Sequence, residues 1–284
     1  MNNRLRRILA TGWNRGWLLI KNAAFSKLEL FGLISGPAVL LFFASQRSGT
    51  VAGTGVELSL LMITGGVAMS AAMEALVSTP GMIGTDREDG TLLRLRGTPD
   101  GMPAYLLGRF IHIVARAVAA AILMLLAGRM FFDSPLPQTP ERWLTLAWVL
   151  VLGIAATVPL GAVLGSLLPS ARAAVLLQLP VYAVIMLSGI FTPFTALPKD
   201  LQYVIEVFPV KWMAQGMRSA LLPDQMLAVE SGHSWQRPLV ALVLVAWAVL
   251  GAWAAPRLMM RVARKESGSK LAARQDAATQ RGAL

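Results

Sequence analysis

The sequence predicts an all-α polytopic membrane protein. Of its 284 residues, 55% are hydrophobic and only 14% charged, and the mean hydropathy is +0.59, outside the usual balance of soluble domains. Several uncharged runs exceed the roughly 18 residues that read as a membrane-crossing helix. The apolar residues are thus organised into spans and not into one water-soluble core. A net charge of +11 is explained by Lys and Arg held on the cytoplasmic side, and nucleic acid is not needed as a partner. With no cysteine, disulfides, thiolate metal sites and cysteine nucleophiles are excluded. A cleavable leader is not expected, because the basic start is not followed promptly by an apolar run and a small-residue cleavage site.

Residues 1–27 read as an amphipathic helix. Leu5, Ile8, Leu9, Trp13, Trp17 and Ile20 repeat at three-and-four spacing, with Arg4, Arg7, Arg15 and Lys21 mostly on the other side. This pattern suits a helix lying in the membrane interface. It serves either as an anchor and topology signal or also as a contact for a partner protein.

Residues 28–255 then form a six-span domain, with apolar runs at Leu28–Phe43, Leu58–Thr79, Tyr105–Met130, Trp143–Leu168, Ala173–Phe194 and Pro238–Ala255. The first run is the shortest and contains Gly36-Pro37, which predicts a tilt or kink. Residues 256–284 are expected to be a basic, disordered tail.

Placing both termini in the cytoplasm puts eighteen of the 26 Lys and Arg on the inner side and seven on the outer, leaving Arg116 within a span. That asymmetry sets the expected orientation. Segment 80–104 is then cytoplasmic and segment 195–237 lies outside. The outer segment is too apolar for a solvated loop, and Pro198, Pro209 and Pro223 interrupt it too often for a span. Short re-entrant helices fit its composition. Phe191, Pro193, Pro198 and Pro209 would belong to an outer gate, or else to a lid that only packs on neighbouring spans.

No GxxxxGK[S/T] loop is present, so the chain has no phosphate cradle of that kind. HExxH and GxSxG motifs are also missing, and the two histidines, His112 and His233, are far apart. Catalytic, cofactor and metal residues are therefore not expected in this chain.

Two intramembrane charges stand out. Glu74 and Arg116 fall at similar depths in the second and third spans, and pairing would lower the cost of burying each. Two readings remain: a facing pair, or an Arg116 that snorkels to phosphate with Glu74 protonated or in a wet crevice. Met69, Met73, Met186 and Phe194 could line an adaptable apolar cavity, or simply pack the spans. Scarcity of membrane charge favours a hydrophobic cargo over a simple ion.

The richest stretch runs Asp86-Arg87-Glu88-Asp89-Gly90-Thr91-Leu92-Leu93-Arg94-Leu95-Arg96-Gly97-Thr98-Pro99. It reads as a short docking helix whose leucines face a partner's groove, or as a solvated loop whose charges set topology. This pattern, with Tyr105-Leu106-Leu107-Gly108 and a long span after it, resembles the hallmark of ABC type-2 transporter permeases. Asp stands at position 86 where Glu is common. Ser188-Gly189-Ile190-Phe191-Thr192-Pro193, followed by Leu197-Pro198, Leu201-Gln202, Pro209 and Arg218, is similar to the re-entrant region of that family, and its drug-export branch is the nearest match.

The resemblance implies a membrane subunit paired with a second permease chain, identical or not, and with two separate P-loop subunits that bind ATP and Mg. It assigns ATPase coupling to Asp86, Arg87, Glu88, Gly90, Thr91, Leu92, Leu95 and Pro99, and it implies that the amphipathic helix of residues 1–27 is a cytoplasmic connecting helix. It further implies export of a drug, antibiotic or lipid-like molecule across the bacterial cytoplasmic membrane. The residues themselves leave open a gradient-driven carrier or channel, and a non-transporting scaffold or sensor.

Overall fold

A computed structural model describes residues 3–132, 134, 136–168 and 171–264. It is all-helical. Among the described residues there is no strand, only one antiparallel bridge between Thr50 and Glu57.

The chain opens with α1 (Asn3–Phe25) and α2 (Lys27–Ser45). Ser26 begins α2 as an N-cap, its side chain accepting from the Glu29 N–H at 3.4 Å. Pro37 lies within α2, which continues through it. The second long rod is α3 (Leu58–Met73), a wide π-helical turn at Glu74–Ser78, and α4 (Thr79–Glu88). In that turn the Thr79 N–H donates to the Glu74 carbonyl five residues back, and the Thr79 hydroxyl donates to the same oxygen at 3.0 Å. The whole rod, Leu58–Glu88, has 31 residues, about 46 Å of helix against a hydrocarbon core of about 30 Å. One end must therefore project from the apolar layer.

Gly90, with φ 73°, turns the chain into the short α5 (Thr91–Arg96). The long α6 (Gly101–Phe132) follows. Thr139 caps α7 (Pro140–Leu167), with proline in the first turn, where its missing N–H costs nothing. Then come α8 (Ala171–Leu187), α9 (Lys199–Glu206), α10 (Pro209–Leu221) and α11 (Arg237–Arg264).

Five helices are long and apolar enough to cross a membrane: Lys27–Ser45, Leu58–Glu88, Gly101–Phe132, Pro140–Leu167 and Arg237–Arg261. The helix expected as the fifth span, α8, has 17 residues. It stops at Leu187, short of the expected Phe194. Gly189, at φ 73°, takes the left-handed conformation that ends helices, and Phe194 opens a separate 3₁₀ turn, Phe194–Ala196. At the other extreme, α11 runs on through Arg264, so residues 256–264 of the expected disordered tail are helical; residues 265–284 lie outside the described part.

The helices pack around a core from α3, α6, α7, α10 and α11, including Ile63, Ile113, Met124, Ile154, Met213 and Leu244. Every residue of α10 is buried, inserted among α3, α7 and α11. One end of the bundle carries α1, α5 and the end of α11; we term it the basic end. Residues 188–236 close the opposite end.

Candidate functional site

At the basic end, the segment from the end of α4 to the start of α6 is tied into the bundle through Asp86, Arg87 and Asp100. Asp86 accepts from the Tyr105 hydroxyl at 2.5 Å and from Arg109 Nη2 at 2.5 Å. Tyr105 and Arg109 sit one turn apart on α6, so both reach the same carboxylate. Arg109 also donates to the Tyr105 hydroxyl at 3.4 Å. Next to Asp86, Arg87 donates through Nη1 to the Ser166 and Leu168 carbonyls at 3.1 and 2.5 Å, gripping the end of α7. From α1, Arg4 pairs with Asp100 at 2.7 Å, and Arg15 lies over the Tyr105 ring, 4.7 Å from its centre. This elbow is thus fixed to α1, α6 and α7 at once.

The orientation of its leucines differs from expectation. Leu92 points inward, 3% exposed, among Ile83, Met102, Tyr105, Ala162 and Met259. A six-residue helix has one apolar face, and here that face seals the bundle instead of waiting for a partner. Leu95 is half-buried against the same cluster. The outward surface consists of Asp89, Arg94, Gly97, Thr98 and Pro99, with Thr91 and Glu88 half-buried at its margin. Gly90 itself is buried.

Deeper in the bundle, Glu74 and Arg116 meet. Arg116 donates to Glu74 Oε1 through Nε at 3.0 Å and Nη2 at 2.9 Å, while its Nη1 pairs with Glu29 of α2. One guanidinium therefore joins α2, the wide turn of the second rod and α6. Its planar fork of donors suits two carboxylates in a way that an ammonium does not. Oε2 of Glu74 is buried without a hydrogen-bond partner, as are both ring nitrogens of His112 one turn away. Glu29 was not among the expected site residues. Its signal was present, an acid two residues inside an apolar run, but at that place it reads equally as a first-turn helix acid.

At the opposite end the expected gate residues are dispersed. Phe191 and Pro193 line one cavity beside Thr50 and Met62. Pro198 caps α9 and is exposed, and Pro209 starts α10 and is buried. The strongest polar feature there is Arg218 of α10. It clasps Glu230 with Nε and Nη2, the latter at 3.0 Å, and donates to the Gly189 carbonyl at 2.5 Å. Beside it Lys211 is fully buried. Its ammonium lies 3.6 Å from the Trp212 ring centre, 5.1 Å from that of Phe194 and 3.8 Å from Glu206, without a hydrogen bond.

The four residues expected around an apolar cavity do not assemble. Met69 and Met73 are half-buried against the main core, Met186 is 38% exposed on α8, and Phe194 is buried under Lys211. Methionine content marks adaptable surface without specifying which way each side chain turns. His233 is exposed on a short turn at the opposite end. Among the described residues no group of His, Asp and Glu could hold a metal ion.

Comparison with known families places this geometry. A family model described as ABC-2 type transporter matches residues 13–222. The chain belongs to the ABC-2 type transporter family. The match takes in most of α1, the charged cluster, the elbow and all of α10. No curated protein matches the chain. As an ABC-2 type membrane domain, it is an integral membrane transport subunit without catalytic activity of its own. Tyr105 was legible only as part of the ABC-2 pattern, and Arg109 only as one of the eighteen inner-side charges. Their i, i+4 spacing was the signal for a shared partner.

Proposed function

We propose that this ABC-2 type chain is the permease of an ATP-driven exporter. Two separate P-loop subunits would dock on the elbow at residues 86–99, with both chain termini in the cytoplasm. A second permease chain would complete the translocation path for a hydrophobic or amphipathic cargo. One observation carries the reading: the elbow is bonded to α6 through Asp86 and to α7 through Arg87, and Asp100, the next residue beyond it, is bonded to α1. A push on such an elbow moves three helices together instead of being absorbed by a slack loop. The polar outer surface offered to a partner comprises Asp89, Arg94 and Thr98, with Leu92 and Leu95 anchoring it from within. The Arg116 cluster lies on the route from that elbow into α2 and α3, and would pass its movement on. Absence of a P-loop in the sequence fits an energy source on other subunits.

The cysteine-free chain offers a direct test. With cysteine introduced at Thr98, a membrane-impermeant maleimide should label inverted vesicles and not intact cells. The Arg94→Glu variant should lose co-purifying P-loop ATPase while its fold persists. Labelling of Thr98→Cys only from outside intact cells would overturn the reading.

A further inference from the structure

Two apolar cavities flank the point where α7 crosses α11. There Gly251 allows close contact with Pro159, to which an added Cβ would approach within 2.6 Å. The larger cavity, about 470 Å³, lies between α7, α8, α11 and the start of α10, within the roughly 300–1,000 Å³ of small-molecule sites. Every described residue lining it is apolar except Trp247, and the Trp247 indole N–H is already bonded to the Val207 carbonyl at 3.0 Å. A polar group of an occupant therefore belongs outside, because none of these described side chains could satisfy it.

The groove follows α11 from Trp247 to Leu258. Eleven steps of helix are about 16 Å, close to half of a 30 Å hydrocarbon core and so to one leaflet. It flanks a helix whose outer face, with Leu250 and Trp253, is exposed to the surroundings of the bundle. A single extended hydrocarbon chain matches this length and lining.

An acyl chain gains no hydrophobic free energy by leaving lipid for an apolar groove; only packing remains. Selective occupation thus requires a headgroup contact, and one is positioned for it. Ala254 and Leu258 line the groove, and Arg261 continues the same face of α11 at i, i+4, i+7, exposed one turn beyond it. Arg257 is exposed beside it, stacked on Trp253 at 4.7 Å. We propose that the α7–α8–α11 groove binds one acyl chain of an anionic phospholipid, whose phosphate meets Arg261 and Arg257.

The test uses the purified full-length chain, equilibrated with vesicles of equal phosphatidylglycerol and phosphatidylcholine, and native mass spectrometry. The expected result is one tightly retained phospholipid per chain. Phosphatidylglycerol should be preferred by roughly fivefold or more, given about 1 kcal/mol for each basic residue near an anionic surface. Ala254→Trp and Leu258→Trp, which fill the groove, should abolish retention, and Arg261→Gln should reduce the headgroup preference. A diazirine-tailed phosphatidylglycerol should crosslink the unaltered chain at Val184 and Leu250. Undiminished retention in both tryptophan variants, adducts spread evenly over the exposed face of α2, or a groove closed by a second copy, seen as dissociation of a dimer in the filled variants, would each overturn the proposal. None of these readouts needs an ATPase, so failure here would leave the transport reading standing.

Discussion

Arg116 of α6 gives two of its hydrogen bonds to a single oxygen of Glu74, at 3.0 and 2.9 Å, while Glu29 of α2 takes its Nη1. Removing the guanidinium leaves two carboxylates facing each other in a mostly buried site. Breaking a buried pair costs about 3–5 kcal/mol. Arg116→Met should therefore lower the thermal unfolding midpoint of the purified chain markedly. Arg116→Lys should recover only part of the loss, since an ammonium cannot bridge both acids in the same plane.

A third charge also changes what a swap experiment should show. The Glu74→Arg, Arg116→Glu double variant brings the new glutamate against Glu29. Partial recovery relative to either single reversal is expected, and fuller recovery when Glu29→Lys is added. If the triple variant is no more stable than the double, Glu29 is a bystander.

At the elbow, Asp86→Ala leaves the buried guanidinium of Arg109, among the described residues, with the Tyr105 hydroxyl and the Met82 sulfur as its remaining partners. A loss of about 3 kcal/mol or more is expected, against about 1 kcal/mol for Tyr105→Phe, which deletes one hydrogen bond. Denaturant titration of the two variants gives the ratio directly. Equal effects would mean that the hydroxyl, not the ion pair, secures the elbow.

Two glycines near one another predict opposite outcomes. A Cβ at Gly165 of α7 would stand 2.7 Å from Pro80 Cα and 2.9 Å from its carbonyl oxygen, whereas one at Gly81 would meet no atom within 4 Å. Gly165→Ala should cost about 1–3 kcal/mol by forcing α7 from the rod. Gly81→Ala should be neutral or stabilising by up to about 1 kcal/mol. Thermal melts of both variants check this.

Lys211 makes stability depend on alkaline pH. Burial pushes its ammonium down to about 8 from an ordinary 10.5; Glu206 and Glu230 counter the shift, and Arg218 reinforces it. Because the folded pKa is the lower one, the unfolded chain holds more protons between pH 8 and 10.5, and stability rises with pH across that window. Below pH 8 the buried charge is a full penalty, up to about 3 kcal/mol. Lys211→Met should therefore be more stable than the unaltered chain at pH 7, and that advantage should shrink as pH approaches 10. A constant difference over the range would mean that the ammonium is not what burial opposes.

The long rods were readable because twenty or more apolar residues leave a chain few alternatives in lipid. Glu74 and Arg116 stood out for the same reason: charge in an apolar run has few places to go. Direction was harder to read. Leu92 looked available because it lies in a connection rich in charge, yet a helix of fewer than two turns must put some face against the bundle. Glu29 was masked by its position near a helix start. Met69, Met73, Met186 and Phe194 share composition without sharing a wall, because side-chain facing depends on how helices cross. The end of α8 was placed too late because Ile190 and Phe191 continue the apolar run past Gly189, where the backbone turns.

The wide turn at Glu74–Ser78 sets the azimuth of everything beyond it. A loop closed by a bond to the fifth residue back takes one residue more than an ordinary turn, which offsets α4 by about 100° relative to a straight continuation of α3. Asp86 faces Tyr105 and Arg109 only with that offset. Excising a single residue between 74 and 78 would leave the composition nearly unchanged and the rod fully helical, yet would swivel the acid about a quarter revolution from its partners. The turn thus works as an indexing notch, and the sequence tolerates its length less than its chemistry.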